Sequence, residues 1–239
     1  MTASKYILAD MATEKFTREL GMIVKPIPEE VKVLETVLPS GRLHLESVLY
    51  QAAKLKKITI SKRSLGEGVA GTLVMMIAGA EYDLPFTLAD ITFSAGEKSE
   101  VSAAYQLRLL VNDEESKIKY VAPFMEWYEA ICKLPSEALI PGEPGDFLKA
   151  NAPSLRYMRS IPIDYLDQVL QFTEQFLDIY LDIYRKAGPV SDFPKRQRMD
   201  AFRTEFNEHL LGDDPSGQVL TRAFGQRLAK LFYEHFTYL

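Results

Sequence analysis

Cysteine is almost missing: Cys132 stands alone among 239 residues. No intrachain disulfide and no thiolate metal cluster can form, and the chain suits a reducing compartment, so a cytoplasmic location is expected. Histidine is nearly as scarce. His44, His209 and His235 lie far apart, in no H-x-x-x-H or H-E-x-x-H frame, and no metal site is expected. No apolar run is long enough to cross a bilayer. Residues 1–16 lack the charged-then-apolar layout of a secretion signal, and Asp10 and Glu14 speak against a transit peptide. Positive charge is in deficit, with a net charge of −5 and a pI near 5.4. That excludes a nucleic-acid binder held mainly by phosphate contacts. No G-x-S-x-G elbow, P-loop, internal repeat or low-complexity tract occurs.

What is present is apolar patterning. Hydrophobic residues make up 47% of the chain, enough for a single large core. Residues 5–20 read as an amphipathic helix carrying Ile7, Leu8, Met11, Phe16 and Leu20 on one side, with Gly21 as its stop. Pro26 and Pro28 break it, and residues 29–37 fit either a short helix or an extended segment. From 42 to 110 the period shortens. Segments at 42–50, 57–61, 72–78, 86–93 and 101–109 read as strands, separated by Gly66/Gly68/Gly71, by Gly79 to Pro85, and by Gly96. Strands in sequence order with short links make an antiparallel meander. Helical spacing returns at 123–132, 163–186, 195–211 and 215–236.

Strands first and helices after, without a long linker, define an α+β chain. It reads as one domain over residues 1–239: a helical segment at 1–40, the meander at 42–110 and a mainly helical cover at 123–239.

Four features carry possible chemistry. In residues 86–93, Phe86, Leu88, Asp90 and Thr92 share one face and Thr87, Ala89, Ile91 and Phe93 the other. Both faces are largely apolar, so a strand covered on both sides is expected, and Asp90 there needs a partner or has a raised pKa and a job. Residues 66–71 match G-x-G-x-x-G, with Asp90 about twenty residues on, but an apolar strand follows where the dinucleotide fingerprint needs a helix. A hairpin loop explains these glycines better. His44 and Glu46 share a strand face. Asp214 before Pro215 is a helix N-cap pattern.

Taken together these stretches resemble the ferredoxin-dependent bilin reductases. Three segments carry the likeness: Ile77-Ala-Gly-Ala-Glu-Tyr-Asp-Leu-Pro-Phe-Thr-Leu-Ala-Asp-Ile91, Val101-Ser-Ala-Ala-Tyr-Gln-Leu107, and Asp214-Pro-Ser-Gly-Gln-Val-Leu-Thr-Arg-Ala-Phe-Gly225. Arg159-Ser-Ile-Pro162 is a weaker echo of an Arg-x-x-Pro segment. The resemblance implies an α/β/α sandwich, an antiparallel sheet between helices. It also implies reduction of an open-chain tetrapyrrole, biliverdin or a related bilin, as in phycobilin biosynthesis. Reduced ferredoxin would supply electrons, with no cofactor bound by the protein. Asp90 stands at the family's central acid, implicated in protonating the bilin, Asp214 at a second pocket acid, and Arg159 at a substrate contact.

The chain also departs from the family. Leu73 to Met76 occupy the place of a catalytic His in some members, and Thr59 and Ser61 the place of a His and a Glu, unless His44-Leu45-Glu46 is that pair. Pro215 replaces a basic residue, and the family's Trp-Gly after Arg-x-x-Pro is absent. A non-catalytic tetrapyrrole carrier is therefore the alternative, and a protein-interaction domain without a pocket the third reading. Residues 54–57 with Lys62 and Arg63 are the basic candidates for docking an acidic ferredoxin.

Overall fold

The computed structural model describes residues 5–95, 99–139 and 142–239. Helix α1 (Ile7–Leu20) stops at Gly21, whose φ of 57° is the left-handed geometry glycine adopts without strain. Strand β1 (Ile23–Val24), helix α2 (Glu29–Lys32) and strand β2 (Val33–Leu38) follow, so the ambiguous 29–37 segment is helix and then strand. The meander comprises β3 (Gly41–Ala52), β4 (Leu55–Leu65), β5 (Val69–Ala78), β6 (Phe86–Ser94) and β7 (Glu100–Arg108). Beyond it lie α3 (Glu114–Tyr120), α4 (Met125–Ile131), β8 (Glu137–Ala138), α5 (Asp146–Ala150) and β9 (Leu155–Pro162). The chain closes with α6 (Leu166–Lys186), α7 (Phe193–Asp213), α8 (Pro215–Phe224) and α9 (Gln226–Phe236).

Among the described residues one nine-stranded sheet runs β1-β3-β4-β5-β6-β7-β9-β8, with β2 pairing the other end of β3. Every pairing is antiparallel. Three points differ from the sequence expectation. The stretch expected to be helical cover returns to the sheet at β9, because Leu155, Tyr157 and Ile161 pair with Leu107, Tyr105 and Val101 and bury with them. Gly71 belongs to β5 rather than to the preceding turn, and the helix expected over 215–236 breaks at Gly225, whose φ is 82°.

Each face of the sheet has its own core. On the first, Ile58, Val74, Ala89, Ile91, Ala103 and Tyr105 meet Phe16 of α1, Trp127 of α4 and Phe176 and Tyr180 of α6. Tyr105 centres this layer, 5.1 Å edge-on to Trp127 and 5.0 Å from Phe176. Its hydroxyl donates to Thr173 Oγ1 at 2.5 Å, because Thr173 already donates to the Val169 carbonyl. On the second face, Leu49, Met75, Ile77 and Phe86 meet Val31 of α2, Phe206 of α7 and Phe232 and Phe236 of α9.

The basic run before β4 ties the layers together. Lys54 Nζ donates to the carbonyls of Tyr184 at 2.8 Å and Ala187 at 2.6 Å, capping α6. Lys57 Nζ donates to the carbonyls of Glu234 at 2.6 Å and Tyr238 at 2.8 Å, and Thr59 to that of Phe236, capping α9. These two lysines are thus fastenings of the fold rather than free docking charges.

Burial pushes the Lys57 amine down from 10.5 to about 7. Between those values the unfolded chain binds the extra proton, so this group makes stability rise with pH across that window. In urea unfolding at pH 7 and pH 9, Lys57→Met should show a smaller rise than the wild type. Equal rises would mean that Lys57 stays protonated in the folded protein.

Candidate active site on the half-covered face of the sheet

The two faces of β6 and β7 are covered to different extents. Ala89 and Ile91 are 0% and 1% exposed, and Val101, Ala103, Tyr105 and Leu107 are likewise sealed under the first helical layer. Their alternating neighbours, Leu88, Asp90 and Thr92 on β6 and Ser102, Ala104 and Gln106 on β7, remain half-buried. The second helical layer therefore closes over Phe86 and Ile77 but leaves the middle of its face half-covered. Asp90 sits in that half-covered stretch rather than on a doubly sealed strand. The row across the sheet reads Ser61, Leu73, Asp90, Ala104, Met158.

Asp90 is held from two strands away. Arg63 Nη2 of β4 lies 2.6 Å from both carboxylate oxygens and 2.6 Å from Thr92 Oγ1, while Thr92 Oγ1 donates to Asp90 Oδ1 at 3.1 Å. Arg63, Gly71 and Thr92 stand in register on β4, β5 and β6. Strands two apart are roughly 9.5 Å from one another, so only a long side chain crossing a bare backbone can close this gap. Gly71 supplies the clearance: a Cβ there would lie 2.7 Å from the Ile91 carbonyl oxygen and 2.8 Å from Thr92 Cα. The third glycine of the G-x-G-x-x-G string thus serves strand packing and the reach of an arginine.

Asp214 lies on the helical cover of this side. It caps α8 by accepting from the Ser216 backbone N–H at 3.0 Å, and it accepts the Tyr233 hydroxyl of α9 at 2.5 Å. Burial pushes its carboxyl up from the ordinary value, opposed by the Tyr233 and Ser216 hydrogen bonds and by the nearby Arg108 charge. Arg108 of β7 pairs with Phe86 of β6, on the same face as Asp90, and stacks 5.1 Å from the Phe206 ring. Both acids therefore stand on the same side of the sheet, one on a strand and one on the helical cover.

Arg159 is not brought to them. It pairs with Ala103, so its side chain leaves the opposite face, at the sheet edge near Tyr128. There it lines a groove of about 320 Å³ with Tyr157 and Leu139. His44 is also on that opposite face, bonded to Glu35 at 2.6 Å, which leaves Ser61 and Leu73 as the neighbours of Asp90 in its row. His209 stacks on Phe147 at 4.7 Å. Among the described residues no group of three or more His, Cys, Asp or Glu side chains could hold a metal ion, and no helix is long and apolar enough to cross a membrane. Arg63, Arg108, Gly71 and Tyr233 were not singled out as site residues from the sequence. The polar alternation at Thr59, Ser61 and Arg63, and again at Ser102, Gln106 and Arg108, is the signal that could have found the two arginines.

A wide antiparallel sheet between helices, sealed on one face and carrying an acid on the half-covered other face, defines an α/β/α sandwich. The family model of the ferredoxin-dependent bilin reductases matches residues 9–238, and the chain belongs to that family. It is 22% identical over 231 residues to a phycoerythrobilin:ferredoxin oxidoreductase of Gloeobacter violaceus, covering 96% of this chain and 92% of that protein. Its fold is similar to that of a phytochromobilin synthase from tomato solved in complex with biliverdin, with a TM-score of 0.72 and 17% identity over 94% of this chain and 81% of the other.

Arg63 and Asp90 are 31% and 19% exposed, so solvent screens their attraction and its contribution falls below that of a sealed pair. A double-mutant cycle of Arg63→Met and Asp90→Asn, read by urea unfolding, should give a coupling of about 1 kcal/mol. A coupling of zero would show that the two side chains do not hold each other in solution.

Proposed function

We propose that this protein reduces an open-chain tetrapyrrole, biliverdin or a related bilin, with single electrons from reduced ferredoxin, and that Asp90 delivers a proton to the ligand. The observation that carries the reading is the half-covered stretch of the sheet with Asp90 on it, in a chain of this family. Leu73, Leu88, Ala104 and Met158 give that stretch a broad floor of low polarity suited to a flat conjugated ligand. Leu211, Leu220 and Phe224 of the cover are partly buried against the same core.

The chemistry needs protons matched to electrons. Each electron added to a conjugated tetrapyrrole leaves negative charge on it, and each two-electron reduction consumes two protons. Arg63 occupies both oxygens of the Asp90 carboxyl, so a ligand lying on Asp90 competes with that contact. Asp214, whose carboxyl is already pushed up by burial, is suited to supply the second proton from the cover. Arg159, on the opposite face, has no part in this scheme. No cofactor held by the protein is required when ferredoxin brings the electrons.

One observation favours a second reading, a bilin carrier without turnover. In the row through Asp90, the adjoining positions are Ser61 and Leu73, neither of which titrates, so Asp90 has no proton-donating neighbour along the strands. An experiment separates the two readings. Biliverdin added to the purified protein should change its visible absorption, and reduced ferredoxin under anaerobic conditions should then bleach or shift that band. A bound but unchanged bilin would establish the carrier. In the reductase, Asp90→Asn should bind biliverdin within about threefold of wild type and reduce it about 100-fold more slowly; full activity in that variant would remove Asp90 from the chemistry.

A further inference from the structure

The turn between β5 and β6, residues 79–85, is gripped by α7. Lys195, in the first turn of that helix, sets its Nζ 2.8 Å from the Asp83 carboxylate, and the two side chains are 8% and 4% exposed. Asp83 also accepts the Tyr120 hydroxyl of α3. Two helical turns on, Arg203 Nη1 donates to the Ala80 carbonyl at 3.1 Å, and its Nη2 donates to those of Gly79 at 3.2 Å and Tyr82 at 3.1 Å. Just before the helix, the Val190 N–H donates to the Glu81 carbonyl at 2.8 Å.

Neither cation is where helix formation would put it. A positive side chain in the first turn of a helix faces the positive end of its dipole, and a buried ion pair gains little net stability over apolar packing of the same shape. What such a pair supplies is a fixed geometry. Burial pushes the Asp83 carboxyl up, but the hydrogen bonds from Lys195 and Tyr120 and the Lys119 charge outweigh it and hold the carboxyl below its ordinary value. The pair therefore stays charged. Among the described residues, every hydrogen bond and ion pair from α7 to the meander ends on this one turn. At its far end α7 is bonded to α5 instead, where Asp213 accepts the Phe147 N–H at 3.0 Å.

Both acids of the scheme above hang on this joint. The turn leads directly into β6, which carries Asp90, and α7 runs from Lys195 to the Asp214 cap. Resting on the bilin reading above, we propose that Lys195 and Arg203 are positioning residues for the reduction: by locking α7 to the turn before β6 they set the distance between Asp214 on the cover and Asp90 on the sheet. Neither cation is bonded to either acid among the described residues, so they act through the helix. The lever is long. Lys195 and Asp214 are roughly 28 Å apart at the usual helical rise, and a tilt of about 3° at the joint moves Asp214 by roughly 1.5 Å. A misplacement of about 1 Å at a reacting group can cost about 100-fold in rate.

The test separates affinity from rate. Visible titration with biliverdin gives the affinity and a single turnover with reduced ferredoxin gives the rate, each at a temperature where circular dichroism shows the variant folded. Lys195→Met and Arg203→Met should bind biliverdin within about threefold of wild type and reduce it about 10-fold more slowly; Lys195→Arg, which keeps a cation for Asp83, should recover most of that rate. Combined with Asp214→Asn, the loss in either Met variant should be less than multiplicative, because both changes act through one carboxyl. A wild-type rate in the folded Met variants, with only the unfolding temperature lowered, would overturn the proposal in favour of a purely stabilising role. Fully multiplicative losses would overturn it by showing that α7 does not act through Asp214. Should Lys195→Met fail to fold, Arg203→Met carries the same comparisons. A wild type that leaves biliverdin unreduced would overturn the reductase reading, and this proposal with it.

Discussion

The unequal covering of β6 and β7 is the constraint from which the rest of this structure follows. A strand's side chains alternate with period two, so each of these strands must serve two environments at once. Tyr105, Ala103, Ile91 and Ala89 are locked beneath α4 and α6, and that sealed layer fixes the position of the opposite side chains. Asp90, Leu88 and Gln106 are consequently presented on a rigid floor even though little covers them. Rigid elements hold functional groups more accurately than loops do, and here the half-covered floor is strand throughout.

Two arginines then set the electrostatics of the open face, in opposite ways. Arg63 crosses Gly71 to bind Asp90 and Thr92, satisfying an acid that would otherwise be left poorly solvated. Arg108 is left unsatisfied while the neighbouring acid is bonded elsewhere. The first arrangement keeps Asp90 in place, and the second leaves the Arg108 Nε and Nη1 without a hydrogen-bond partner among the described residues. Neither depends on the basic residues at the start of β4, where Lys54 and Lys57 fasten the C-terminal ends of α6 and α9.

Much of the fold was legible in the sequence because it rests on local patterning. The meander strands, the α1 stop at Gly21 and the long α6 all follow from periodicity and from glycine or proline placement. What was not legible depends on contacts distant in sequence. β9 joins the sheet through pairing with β7, which spacing within 155–162 alone does not announce. The mid-length break at Gly225 was hidden by good helical spacing on either side. Asp90 and Asp214 were singled out by motif, and they stand on one side of the sheet; their part in a site is the proposal made above. Arg159 followed from the weakest stretch of the resemblance, and an odd count along β9 turns it to the other face. Arg63 was read only as a docking charge and Arg108 was not singled out, since the sequence does not reveal that one crosses a glycine and the other lies under Phe206.

The central claim is that the half-covered face around Asp90 is where the ligand lies, and the most direct measurement is a crystal structure with biliverdin. The account predicts the conjugated system between the Leu88 and Ala104 floor and the α7–α8 junction, within contact of Asp90. A bilin seated instead in the edge groove beside Arg159, or on the sealed face, would contradict it.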